Sequence, residues 1–327
     1  MIKNYFKRNK DTVFLVGMLI IISGLFSIIN PEQFSSFYSF QSLLFQIPEL
    51  GLLTLAMMIP IISGGINLSI ISTANIVGVI TAIFFRSFNF ESLFNYQAII
   101  IFSIGILLAL TLSIIFGLLN GLLVGYLNIN PVLATLGTMI FYSGVSLLIS
   151  EGKSLKGFPS QMFYIGNGVF VGIPISFIIL IFCCGFIYFI LKKTAFGISI
   201  YMIGLNPLAT KFSGLNNKVI LLKTYLISGL LSGIAALIMM SRFNSAKSDY
   251  GESYLLVTIL IVVLGGVSIS GGSGSVINVF IAVLVLSIIS MGFNFFAVNA
   301  FLTQTVWGLL LLIVILIRRL STVKNTR

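Results

Sequence analysis

Apolar runs close to twenty residues long recur from end to end of this 327-residue chain. A helix crosses the hydrocarbon core of a bilayer with about 20 predominantly apolar residues. No strand or irregular segment can face lipid there without stranding its backbone polar groups. Composition points the same way, with 58% of residues apolar and 8% charged, against roughly 25% charged in a soluble domain. Such a chain could not cover its own surface with polar groups. It reads as an all-α polytopic membrane protein, a single transmembrane domain over residues 1–327. About ten spans are expected, at 12–29, 43–63, 68–86, 97–126, 131–150, 173–191, 222–241, 255–270, 275–297 and 302–317.

Charge placement orients these spans. With residues 1–11 in the cytoplasm, that side holds Lys3, Lys7, Arg8 and Lys10, then Lys192, Lys193, Lys211, Lys218 and Lys223 around the loop 192–221. The tail 318–327 adds Arg318, Arg319, Lys324 and Arg327, giving thirteen of the eighteen Lys and Arg against the single acid Asp11. The outer segments carry Arg86, Lys153, Lys156, Arg242 and Lys247, offset by Glu32, Glu91, Glu151, Asp249 and Glu252. This is the positive-inside asymmetry. It places both termini in the cytoplasm and accounts for the net charge of +11 without nucleic acid as a partner. No small-residue cleavage site follows the first apolar run, which therefore reads as an uncleaved helix and not a signal peptide.

Little in the chain supports chemistry. Histidine is absent, and the two cysteines, Cys183 and Cys184, are neighbours in an apolar run. Adjacent helical residues do not bridge readily, and no metal-ligand spacing surrounds them, so they read as apolar filling. No metal, no cofactor and no enzymatic activity is expected. Glu49 is the one carboxylate inside a span, and an intramembrane charge marks a functional site by default. Lying within two turns of the expected outer end of its helix, it reads as a partly solvated end residue ahead of a buried pathway residue.

The stretch "LGGVSISGGSGSV", Leu264 to Val276, has the look of a phosphate loop. A Walker-type loop needs lysine and then Ser or Thr after its last glycine, whereas Gly272 stands at the lysine position. A dinucleotide fingerprint needs a soluble strand before it, and this stretch lies between two apolar spans. It is not a nucleotide loop. Its opening does align with "SGGINLSIIS", Ser63 to Ser72, at an offset of 201 residues. Related helix pairs from two halves flank the pathway in many transporters, and small residues let helices approach closely in lipid. Two readings stand level: a close-packed hairpin with no substrate contact, or one whose Asn67, Ser69, Ser268 and Ser270 line the route.

At "GGINLSIIS" the chain resembles the Gly-Gly-Ile-Asp-Leu-Ser motif of permease subunits in ribose-type ABC importers, a family that also carries autoinducer-2, xylose, arabinose and galactose. Further matches follow in order: "GLLNGLL" (Gly117–Leu123), "PVLATLGTMIFYSG" (Pro131–Gly144), "FYIGNGVFVGIPI" (Phe163–Ile175) and Ala195–Arg242. "VLGGVSISGGSGS" completes the set, with Asn294 and Gln304 beyond it. Asn67 stands where the family has aspartate, and Ile71 where it usually has glycine. Pro60 removes a backbone hydrogen bond inside the second span and should kink it. The resemblance implies a membrane pore without chemistry of its own. Its implied partners are cytoplasmic ABC ATPase subunits, an extracytoplasmic sugar-binding protein and a second permease chain, identical or not, in the lipid bilayer of the cell membrane. A degenerate motif suits a heterodimer.

Asn206-Pro207 is a good helix start, a capping residue followed by proline at the first helical position, and Gly214 is a reasonable stop. A short helix over Pro207–Ser213 is expected. It resembles the coupling helix that the family docks on its ATPase, with Gly204, Asn206, Ala209, Ser213, Gly214 and Leu215 matching. Without the resemblance, the same loop reads as a basic segment at an anionic membrane surface. A neutral sugar asks for several weak hydrogen-bonding contacts along its route. The candidates inside spans are Asn67, Asn75, Asn120, Thr135, Thr138, Asn294 and Gln304, with Ser69 and Ser268 from the hairpins. Each singly reads as a structural amide or hydroxyl, and some of the set should line the pore. The outer loop 151–172, together with Arg242, Lys247, Asp249 and Glu252, offers a docking surface for a binding protein. An ion-coupled secondary transporter is the rival reading, weakened by the scarcity of ionisable residues in the spans.

Overall fold

The computed structural model describes residues 10–34, 36–88, 90 and 94–325. The charges at Lys3, Lys7, Arg8, Glu91 and Arg327 lie outside the described residues, as do the side chains of Lys10, Arg318, Arg319 and Lys324. In chain order the helices are α1 (Lys10–Ile29), α2 (Pro31–Phe34), α3 (Phe37–Ile62), α4 (Ile70–Arg86) and α5 (Asn95–Gly121), which runs into a π-helical turn, Leu122–Tyr126. Then come α6 (Pro131–Ser150), α7 (Ser160–Asn167), a two-strand hairpin β1 (Val169–Phe170) and β2 (Ile173–Pro174), and α8 (Ile175–Lys193). The remainder is α9 (Ala195–Leu205), α10 (Pro207–Phe212), α11 (Asn217–Phe243), α12 (Tyr254–Leu264), α13 (Val276–Phe295) and α14 (Ala300–Asn325).

Among the described residues, seven helices are long and apolar enough to cross a membrane: those at 11–29, 37–62, 96–126, 131–150, 175–193, 217–243 and 276–295. The other three expected spans are shorter apolar helices, Ile70–Arg86, Tyr254–Leu264 and Ala300–Leu316. The span expected at 255–270 stops at Leu264 because the glycine pair ends the helix there. Residues 192–221 are not one loop. Thr194 caps α9 by accepting from the Gly197 N–H, and Gly197, Ser199, Ile200 and Ile203 of that helix are buried. Eleven residues are too few for a span, and the flanking lysines read as loop, which is why the sequence hides this helix.

The helix α3 is the axis of the molecule. Every residue from Ile47 to Ile62 is buried, as expected of a helix that is apolar on all sides. Against it pack α4, α8, α11, α12 and α13. Helices α5 and α11 meet most extensively, and glycine spacing explains how. Gly117, Gly121 and Gly125 recur every four residues and face α11; a Cβ on Gly117 would lie 2.7 Å from the Tyr225 carbonyl oxygen. From the other side a Cβ on Gly229 would lie 2.5 Å from the Ser113 carbonyl oxygen. In lipid, where apolar surface gives no driving force, such close backbone approach supplies the packing. Asparagines start three of these elements: Asn130, Asn206 and Asn216 each accept from backbone N–H groups two residues on, satisfying donors that a helix leaves open.

Candidate functional site

The two glycine-rich turns share one conformation. After α3, the Gly64 N–H donates to the Ile61 carbonyl and the Gly65 N–H to the Pro60 carbonyl. After α12, Gly266 donates to Val263 and Val267 to Val262 in the same pattern. These are Schellman caps, which call for a left-handed residue, and Gly64 and Gly266 hold φ +82° and +87°. The equivalent positions are therefore 202 residues apart, one more than the sequence alignment gave. That shift has a consequence, because Asn67 then corresponds to Ile269 and not to Ser268. The turns touch each other: the Gly272 N–H donates to the Ile62 carbonyl at 2.9 Å. The end of α9 wedges against both, and a Cβ on Gly204 would lie 2.0 Å from the Ile62 oxygen and 2.3 Å from the Gly272 nitrogen.

The first turn anchors a buried polar network. Asn67 Oδ1 accepts from the Ser69 N–H at 3.1 Å and the Ser69 hydroxyl at 2.8 Å, while its Nδ2 donates to Ser228 Oγ at 2.9 Å. Asn120 Nδ2 donates to Ser69 Oγ at 2.8 Å, and Asn120 Oδ1 accepts from the Thr138 hydroxyl at 2.7 Å. The Thr135 and Tyr225 hydroxyls both reach the Ile66 carbonyl, at 3.3 and 3.2 Å. Asn67, Ser69, Asn120 and Thr135 are all buried. Five of the sequence candidates thus form one cluster, with Ser228 and Tyr225 as members the sequence did not single out. The amide at Asn67 suits this place: Ser228 already gives its proton to the Ala56 carbonyl at 2.7 Å and needs a donor opposite it, which a carboxylate would not be.

The other candidates lie elsewhere. The Ser268 and Ser270 hydroxyls meet each other at 2.8 Å within the second turn. Asn294 and Gln304 are exposed, near the end of α13 and the start of α14. Asn75 is buried, its amide donating to the carbonyls of Ser248 and Tyr250 at 2.8 and 3.0 Å.

Glu49 is not a solvated end residue. It is fully buried, and its Oε1 lies 3.1 Å from Arg242 Nη1. The expectation failed because α3 begins six residues earlier than the expected span, at Phe37, which moves Glu49 away from the helix end. A buried carboxylate needs a cation, and that requirement is the signal that could have found Arg242. Arg242 in turn is not a free charge of the loops at that end of α11. Those loops are joined by a bridge in which Leu155 and Ala246 exchange backbone hydrogen bonds of 2.8 and 2.9 Å. Lys247 and Asp249 pair at 2.6 Å, and the carboxylate beside it holds the Lys247 ammonium above its usual range.

At the opposite end of α11, the short helix α10 starts at Pro207, as its spacing predicts, and stops at Phe212, one residue short. Asn206 Oδ1 accepts from the N–H groups of Leu208 and Ala209, each at 3.0 Å. Gly214, at φ +79°, closes it with a third Schellman cap. Leu205, Leu208 and Phe212 are 74%, 68% and 89% exposed. Between this helix and the first glycine turn lies an open cavity of about 900 Å³, lined among others by Gly64, Asn128, Pro131, Pro207 and Lys211.

A family described as "Branched-chain amino acid transport system / permease component" matches residues 39–317. The chain is 31% identical over 327 residues to the autoinducer 2 import system permease protein LsrD of Yersinia enterocolitica, covering 97% of this chain and 94% of that one. It is likewise 31% identical to LsrD of Salmonella typhi, with the same coverage. LsrD of Escherichia coli O9:H4 is 32% identical over 316 residues, 94% of this chain and 91% of that one. No solved structure matches significantly. With an unbroken family match from the second span to the end of the last apolar run, the chain belongs to the permease components of the branched-chain amino acid transport type, among relatives that match a ribose-type ABC permease.

Proposed function

We propose that this chain is the membrane permease of an ATP-driven importer that moves a monosaccharide or a similar small polyol, of the ribose or autoinducer-2 kind, into the cytoplasm. ATP is hydrolysed by separate subunits, a soluble binding protein delivers the solute, and a second permease chain completes the pathway. The observation that carries this reading is that α10, with its exposed Leu208 and Phe212, continues directly from α9, whose Gly204 packs against Gly64 and Gly272. An exposed apolar helix at a basic membrane surface is a docking element for a cytoplasmic partner. Its movement would reach both glycine turns through α9, because backbone atoms in contact cannot yield separately. The names of the LsrD relatives support a solute of the autoinducer-2 kind. Gly204, Asn206, Pro207, Ala209, Ser213, Gly214 and Leu215 would form or hold the docking helix, and the network around Asn67 would hold the first turn in register.

Purification in mild detergent after co-expression with the neighbouring genes tests the assignment. An ATPase is expected to accompany the wild-type chain and to be lost from Gly214→Arg, since a Cβ at φ +79° is strained and the long cation intrudes on the docking face. Solute-stimulated ATP hydrolysis should accompany the intact complex. Transport without ATP by the chain alone would favour the ion-coupled reading, and the Glu49–Arg242 pair would become its first site to test.

A further inference from the structure

A cavity of about 300 Å³ lies between α4, α6 and the start of α12, at the size where small-molecule sites begin. At about 30 Å³ per water molecule it has room for roughly ten waters, comparable to the bulk of one monosaccharide. Its lining is mixed, apolar at Leu68, Ile71, Met139 and Leu255 and polar at Ser72, Asn75, Ser143 and Glu252.

The polar lining residues have a distinctive balance of donors and acceptors. Both amide protons of Asn75 are committed to the Ser248 and Tyr250 carbonyls, which fixes the side chain and leaves Oδ1 free to accept. The Ser72 hydroxyl gives its proton to the Ser69 carbonyl at 3.0 Å and retains its lone pairs. Lys247 is paired with Asp249 and also feels the charge of the exposed Glu252, whose carboxylate makes no hydrogen bond or close ion pair among the described residues. The Ser143 hydroxyl, also without a partner among the described residues, is the only group with a proton to give. A ligand here must bring several donors of its own, and an anion would meet a carboxylate and two lone-pair acceptors. Apolar carbons beside several acceptors suit a neutral polyhydroxylated ring, which presents both C–H surface and hydroxyl donors.

The cavity also adjoins the parts that would move. Ser72 hydrogen-bonds to Ser69 of the buried network, and Met139 follows Thr138, which holds Asn120. We infer that this cavity is a binding compartment for a neutral polyhydroxylated solute, selected over anions by Glu252, Asn75 and Ser72. The inference deepens the importer reading and rests on it for the direction of transport.

The test uses the complete complex with its ATPase, binding protein and second permease, with Cys183→Ser and Cys184→Ser in this chain. Ser143→Cys, and separately Met139→Cys, are labelled with N-ethylmaleimide in the presence of autoinducer-2, D-ribose or D-ribonate. One neutral solute should slow labelling by roughly tenfold at saturation, and ribonate should not. Glu252→Gln should raise the concentration for half-protection by roughly tenfold to a hundredfold, the range for hydrogen bonds to a charged group, whereas Leu148→Ala on the exposed face of α6 should leave it unchanged. ATP-dependent uptake is measured in parallel. Uptake without protection by the transported solute would overturn the inference and leave the importer standing. Protection without ATP-dependent uptake would uphold the compartment and remove the importer. Equal protection by ribonate would overturn the proposed selection.

Discussion

Glu49 and Arg242 are unequal partners, one fully buried and the other with 22% of its side chain exposed. That inequality makes a directional prediction. Arg242→Met leaves a carboxylate in the core without its cation and should cost about 3–5 kcal/mol. Glu49→Gln leaves an arginine that still reaches solvent, and should cost clearly less. The double substitution should recover most of the loss, because it leaves no uncompensated charge in the core. Thermal unfolding in detergent measures all three, and equal losses for the two single variants would contradict the burial argument. The intramembrane carboxylate was legible in the sequence. Its partner was not, because Arg242 lies 193 residues away and reads there as one more outer charge.

Between elements, the α5–α11 crossing is set by small residues more than by apolar ones. Gly117→Leu would drive a side chain into the Tyr225 carbonyl and the Gly229 Cα, 2.7 and 3.1 Å from the first added carbon. Backbone on a partner helix cannot rotate away, so the cost belongs at the upper end of overpacking, about 3 kcal/mol or more. Gly137→Leu on α6, where a Cβ meets nothing within 4 Å, should change stability by less than about 0.5 kcal/mol. A shift in melting temperature confined to the first variant checks this. The short helix α10 was legible because its signals are local: cap, proline and left-handed glycine all act within one turn. Helix α9 was not, since its buried positions Gly197, Ile200 and Ile203 acquire meaning only through the elements packed on them.

For the whole molecule, the family match and the seven membrane-long helices make this a multi-pass membrane protein of the cell membrane, a permease and not an enzyme. Its orientation rests on charge asymmetry and is testable. In a Cys183→Ser, Cys184→Ser background, Lys153→Cys should react with a membrane-impermeant maleimide from outside intact cells, and Lys211→Cys only after the membrane is broken. The reverse pattern would invert the topology. Local signals in the chain were enough to read the solvent of this protein, the approximate bounds of its seven long helices, its family and the small helix at Pro207, because hydropathy, motifs and capping are properties of residues near one another. The tertiary structure decided which polar residues meet. It drew Asn67, Ser69, Asn120, Thr135 and Thr138 into one network, moved the turn equivalence by one residue, and set Gly204 between the two glycine turns. It also left Asn294 and Gln304 exposed. Those outcomes depend on how helices distant in sequence cross at close range, and on the requirement that buried polar groups find partners in three dimensions, wherever in the chain those partners lie.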